Sequence, residues 1–363
     1  MPSGVLPAHV QLMPLIAGKW LSQALAALTR LEVFEKLGDG PCSVSELATL
    51  TDTDADRLGR VLRAAEAMGV VARAADGSFS LTELGKPFRR NDPCSVRELT
   101  LYLADPVSWL PFAHLTHTLR TGEPAFEELY ETDLFSYLAA DPDLSHSYQG
   151  GWASLTDELG PQAVELYDFS QWPVIADVGG GHGRMLLHLL RANPGIRGIL
   201  LDRPEVLDGA RRSLADEPEL ARMRLAAITL PTGTLPAADA YLMKNTLHCY
   251  DDSAVLAMLE PIRQALSDDP RRRLLIIETV VPEDDSYDWS KFIDIEVMTM
   301  TGGRERTREE WQRLLLRAGL RLTAVTRLTP PQSLLEVERA AELPDHVPQP
   351  DSRATRFGPS DYR

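Results

Sequence analysis

Two hydrophobic rhythms divide the chain. Up to about Leu166, apolar residues recur every three or four positions, the spacing of helices that bury one face. From Trp172 onward, short apolar runs of strand length alternate with helical stretches. The first rhythm predicts a helix from about His9 to Leu37. Leu21, Leu25, Leu28, Leu31 and Phe34 form its stripe, and Gly38 is its stop. Ser43 with Glu46 three residues later is a capping-box signature. A further helix, "DADRLGRVLRAAEAMG", should close at Gly69. "VVARAADGSFSLT" reads as two strands about an Asp76-Gly77 turn. Helix, helix, hairpin is the order of a winged helix. The stretch from Pro93 to Leu166 is predicted helical and is rich in aromatic residues. Most of these belong to a core, and some suit a pocket for a flat ligand.

The second rhythm predicts strands in "VIADVG", "GILLD", "ADAYLMK" and "RRLLIIETVVP", each followed by a helix. Such alternation makes a parallel sheet covered on both faces. "LRLTAVTRLTPPQSLLEVER" reads as an antiparallel edge pair joined at its Pro-Pro turn. The expected fold class is α/β: a Rossmann-like domain behind a mainly helical, winged-helix N-terminal domain. The expected boundaries are 1–166 for the helical domain and 167–338 for the α/β domain. Residues 339–363 are Pro-rich and polar and are expected to form a disordered tail.

The chemistry centres on "VIADVGGGHGRMLLHLL", Val174 to Leu190. A glycine loop that follows a strand and opens a helix lets a ligand approach the backbone and meet free N–H groups. Asp202, nineteen residues after Gly183, ends the next strand and can accept ribose hydroxyls. The spacing G-x-G-x-G differs from the dinucleotide pattern and lacks the Lys-Ser/Thr of a P-loop. Asp177, just before the loop, disfavours a pyrophosphate and suits a cation. S-adenosylmethionine, with its ribose, ammonium and sulfonium, fits better than NAD. Lys244 and His248 follow the next strand, at the end of the sheet where ligands bind in this fold class. A histidine there can take a proton from a phenol. Glu278 ends a strand and Glu305 lies in a Gly-rich loop; a carboxylate beside a histidine orients it and stabilises its charged form.

Charge narrows the partners. The chain carries 53 acidic against 37 basic residues, a formal net charge of -16. That opposes general binding to nucleic acid or anionic membranes. Between Ser43 and Arg90 there are seven acids and seven bases, so the winged-helix region lacks a basic face and reads as a packing or dimerisation module. Cys42, Cys94 and Cys249 are scattered, fitting neither a disulfide framework nor a zinc site, and suit a reducing cytoplasm. The first twenty residues lack a basic n-region, so neither a signal peptide nor an anchor is expected.

Taken in order, these motifs resemble the small-molecule O-methyltransferases of plant secondary metabolism and bacterial antibiotic pathways. "DVGGGHG" and "LLDRPEVL" resemble the family's first two S-adenosylmethionine (SAM) motifs. "YLMKNTLHCYDD" resembles its catalytic-histidine segment, and "IIETVVP" and "GGRERTREEWQRLLLRAGL" its closing motifs. The resemblance implies a class I methyltransferase domain and a homodimer built through the N-terminal domain; the His-plus-carboxylate set lacks a closed metal spacing, so no metal is expected. It implies His248 as general base flanked by Glu278 and Glu305. Gly179, Gly181, Asp202 and Lys244 would contact SAM, and Trp152 and Met298 would face a small aromatic substrate. Three features depart from the family: "HCY" replaces "HDW", no acid precedes Asp239 where "GDFF" is usual, and Trp152 replaces a methionine. Two alternatives stay open at this level. One is the same fold repurposed for hydroxylation or decarboxylation with SAM as a bystander. The other is a winged-helix regulator that senses a metabolite.

Overall fold

The computed structural model describes residues 7–229, 233–267 and 269–340. The expected tail therefore lies outside the described residues, apart from Arg339 and Ala340. The helical rhythm resolves into a small N-terminal core and a bridging layer. The capping box at Ser43 forms with Glu46 and starts the helix Val44–Leu50. The helix Ala55–Ala67 follows, and then β1 (Val71–Arg73) and β2 (Phe79–Leu81) pair as an antiparallel hairpin. Phe34, Leu47, Leu62 and Phe79 are buried together at its centre.

The single helix predicted over His9–Leu37 is instead three: Ala8–Ile16, Gly18–Arg30 and Val33–Gly38. Glu32 breaks the last junction with a left-handed φ of 57°. Beyond the break, Val33, Phe34 and Leu37 bury with Leu47 and Leu62, so tertiary burial outweighs helix continuity. The first helix buries no residue of its own. Leu12, Met13, Leu15 and Ile16 lie exposed along it.

The α/β region is built on one eight-stranded sheet. Its strands are β3 (Val174–Val178), β4 (Arg197–Asp202), β5 (Met223–Ala227), β6 (Ala240–Lys244), β7 (Arg273–Val281), β8 (Arg306–Thr307), β9 (Leu320–Arg327) and β10 (Gln332–Arg339). Their order is β5-β4-β3-β6-β7-β10-β9, with β8 beside β7. The first five are parallel, and β10 and β9 form the predicted antiparallel pair at one side. The strand period explains why these runs are continuously apolar. On β7, Leu274 and Ile276 join one core cluster while Leu275 and Ile277 join the other. Both faces are dry, so no polar alternation survives.

Two strands went unread in the sequence. β5 is a short edge strand with only Met223 buried, and β8 has two residues. β10 also runs to Arg339, one residue past the expected boundary.

The helix Pro142–Leu166 ties the two regions together. Gly151 on it lies against the backbone of Leu99, and Gly160 against the His188 ring, so each side of the helix meets a different region at close range. Trp311, fully buried, packs on the sheet face formed by Ile276 and Leu335. Trp311→Ala is expected to cost about 3–5 kcal/mol. A clear drop in the thermal unfolding midpoint would register it; an unchanged midpoint would show that this face is not the core inferred here.

Candidate active site

Every predicted site residue except Met298 converges on the carboxyl ends of β3, β4, β6 and β7. After β3 the chain turns through the glycine loop. The Gly179 N–H donates to the Leu201 carbonyl at 2.8 Å, fixing the loop against β4. Gly179 has φ 73°, and a Cβ there would meet Thr246 at 2.9 Å. Conformation and space both require glycine. The Gly181 N–H donates to Asp202 Oδ2 at 2.8 Å, and the Arg203 N–H to Oδ1 at 2.8 Å. Each carboxylate oxygen keeps lone-pair capacity for a further donor. Asp202 is thus both the loop's anchor and an acceptor facing the cavity.

Behind the loop, Asp177 is fully buried and neither carboxylate oxygen has a partner. Burial pushes its carboxyl up to about 7, against the pull of Lys244. Burial also brings the Lys244 ammonium down to about 8, opposed by Glu278 and Asp177. The two groups restrain each other's loss of charge without touching.

His248 sits in a single turn, Leu247–Cys249, after β6. Glu278 on β7 builds that turn. Its Oε1 accepts backbone N–H groups from Thr246 at 2.9 Å, Leu247 at 2.8 Å and His248 at 3.4 Å. His248 Nδ1 lies 2.7 Å from Glu305 Oε1 and 3.9 Å from Glu278 Oε2. A carboxylate only accepts, so Nδ1 carries the hydrogen and the Nε2 edge is left for the cavity, which His248 lines. Burial pulls the imidazole pKa down, but Cys249, Glu278 and Glu305 outweigh it and hold it well above 6.5.

Glu305 reaches this position through β8, which pairs with β7. The Arg304 N–H donates to the His248 carbonyl at 2.7 Å. A side chain at Gly303 would run into that carbonyl, so the close pass demands glycine. Arg306, almost fully buried, bonds Asp252 at 2.9 Å and locks the segment. Sequence reading singled out neither β8 nor Arg306, because two residues carry no periodicity. Ligand atoms of His248, Glu278 and Glu305 lie within 4.8 Å of one another, close enough to share a small cation.

One cavity of about 400 Å³ joins these parts. Gly179, Gly181, Asp202, Lys244, Trp152 and His248 all line it. Glu278 and Glu305 stand behind His248 rather than on the wall. Met298 is half-buried on the helix Ser290–Met300 and is not among the residues lining the cavity. From that helix Glu296 and Val297 face the cavity, and Met298 is two positions, about 200°, from Glu296. Glu296 was missed. Its only signal was an acid inside an otherwise apolar stretch, "FIDIEVMTM". Past β5, Ile228 and Thr229 line the cavity beside Asp202, and the Ile228 N–H donates to the Asp202 carbonyl at 2.9 Å.

Replacing Glu305 by Gln removes the carboxylate against His248 Nδ1. The imidazole pKa should fall toward its ordinary range. Titrating the histidine ring signals by NMR in wild type and Glu305→Gln tests this; an unmoved pKa would mean the pair does not interact as its distance implies.

Known proteins place this arrangement. Residues 112–321 match the O-methyltransferase domain family, and residues 13–91 match the O-methyltransferase dimerisation domain. The chain is 30% identical to phenazine O-methyltransferase PhzM of Lysobacter antibioticus, over 94% of this chain and 98% of that protein. It is 31% identical to 8-amino-8-demethylriboflavin N,N-dimethyltransferase of Streptomyces davaonensis, over 83% and 87%. The structure of CalO1, a methyltransferase of calicheamicin biosynthesis in its SAH-bound form, superposes with a TM-score of 0.81 at 32% identity, covering 93% of this chain and 99% of that one. The α/β sheet, the helical domain ahead of it and these matches agree: the chain belongs to the O-methyltransferase family, with the family's dimerisation domain at its N-terminal end.

Proposed function

We propose that the chain methylates a hydroxyl of an aromatic natural product, with His248 as general base. The observation that carries this is the pairing of His248 Nδ1 with Glu305 at 2.7 Å beside a cavity shared with the glycine loop. The cofactor is SAM, which when bound supplies an electrophilic methyl group on a sulfonium that leaves as a neutral thioether. The residues present suit it. Asp202 retains lone pairs for ribose hydroxyls, the loop offers backbone amides, and the unpartnered Asp177 carboxylate favours a cationic ligand. Ile228 and Thr229, both uncharged, line the cavity beside Asp202 and suit the adenine of SAM.

Lys244 and Asp202 fix the donor's end of the cavity, while Trp152 and its neighbours hold the ring. His248 Nε2 takes the hydroxyl proton as the oxygen bonds the methyl carbon. Glu305 keeps the resulting imidazolium in place, and Glu278 keeps the turn in register. Positioning supplies most of the acceleration, with the base adding roughly 10²–10⁴-fold. No residue in this scheme requires a metal.

The same reading makes the protein a homodimer. Leu12, Met13, Leu15 and Ile16 are exposed on a helix that buries nothing of its own, and Trp20 on the next helix is exposed beside them. The helical unit would end at 166 and the catalytic unit begin at 167. Among the described residues, no helix is long and apolar enough to cross a membrane.

His248→Ala should lower turnover about 10²–10⁴-fold and leave S-adenosylhomocysteine binding intact; unchanged turnover would remove the general-base role. Asp202→Ala should abolish that binding by calorimetry. Only neutral His248 accepts the proton. With its pKa raised in the free enzyme, kcat/KM should fall on the acid side of an inflection above 6.5. A pH profile flat down to 6 would contradict this. Product mass gives the overall check, one methyl group gained for each S-adenosylhomocysteine released.

A further inference from the structure

Glu296 is a carboxylate set into the wall of the cavity. It lies on the helix Ser290–Met300, is partly buried, and lines the cavity with His248. Among the described residues, no hydrogen bond or ion pair to its side chain is present. Its charge acts on His248, Tyr102 and Tyr148, so it stands near both the base and the aromatic wall. Burial brings its carboxyl up to about 7, opposed by His248. A carboxylate on a cavity wall without a donor from the protein can take one from a ligand. Trp152 also lines the cavity, its ring centroid 6.2 Å from that of Tyr148.

A plain aromatic hydrocarbon would leave the Glu296 carboxyl without a donor. An acceptor with a donor group toward Glu296 satisfies the carboxyl. Glu296 and His248 both line the cavity and their charges interact, which puts that donor on the side of the hydroxyl that reacts.

We propose that Glu296 determines acceptor choice, selecting aromatic substrates that carry a second hydrogen-bond donor, a hydroxyl or an amine, next to the hydroxyl being methylated. This rests on the methyl-transfer reading and narrows its substrate class. Glu296 acts by holding the ring, and His248 remains the base. A site built to bond a substrate hydroxyl or amine rejects the analogue that lacks it far more strongly than an apolar pocket rejects a missing methylene.

The test uses full-length protein saturated with S-adenosylhomocysteine, titrated calorimetrically with three probes. These are 2,3-dihydroxynaphthalene, 3-amino-2-naphthol and 2-naphthol. Wild type should bind the first two at least tenfold tighter than the third. Glu296→Met should erase that preference without weakening 2-naphthol, and Glu296→Gln, which keeps an acceptor oxygen, should retain it. The wild-type comparison changes only the ligand, so it stands whether or not the Met variant folds. Wild type without a preference, or a preference that survives in Glu296→Met, would overturn the proposal. Failure of S-adenosylhomocysteine to bind wild type would overturn the methyl-transfer reading itself.

Discussion

A buried carboxylate must find donors, and Glu278 finds them in the backbone. It draws the N–H groups of Thr246, Leu247 and His248 around one oxygen, at the point where β6 ends and the sheet would otherwise open to solvent. The turn that presents His248 is therefore made by a residue on the neighbouring strand. Parallel pairing of β6 with β7 sets Lys244 opposite Ile277, one residue before Glu278. A slip of one residue would turn Glu278 to the other face and dissolve the turn. The catalytic geometry is thus a consequence of sheet register, and register is enforced by two dry faces.

The charges around this turn share one arrangement. Glu278, Glu305, Glu296 and Asp177 are acids in or behind the cavity wall, against the cations of Lys244 and protonated His248. Burial first, and neighbouring acids after it, raise the carboxyl pKa values of Asp177, Glu278 and Glu296 and resist their complete ionisation. A positively charged ligand relieves this resistance. The same ligand weakens the hold of the imidazole on its proton, which readies His248 to accept another.

Much of this could be read from the residues. The alternation of apolar runs located the parallel sheet, and glycines spaced between Asp177 and Arg184 located the loop. Strand ends then nominated Asp202, Lys244, His248 and Glu278. What escaped did so for physical reasons. β8 is two residues long, too short for any period, yet it places Glu305. Glu32 breaks a helix whose apolar stripe runs on unbroken, because burial of Phe34 and Leu37 decides the matter at long range. Met298 and Glu296 lie two positions apart on a helix, and only packing shows which one faces the cavity. Resemblance pointed to a methionine, and the structure turns an acid inward.

The helix Pro142–Leu166 has two faces with different duties. Gly151 and Gly160 press it against Leu99 and His188, contacts that leave no room for a side chain. Tyr148, Gln149, Trp152 and Thr156 look instead into the cavity. The locking positions and the cavity positions are different residues on one rod. Tyr148 is the exception, because its ring packs edge-on against Tyr102 with centroids 5.1 Å apart; changes at Gln149, Trp152 and Thr156 leave the two glycine contacts untouched. Acceptor preference can therefore drift over generations while the architecture stays put, and one scaffold can serve many pathways through substitutions on a single helical face.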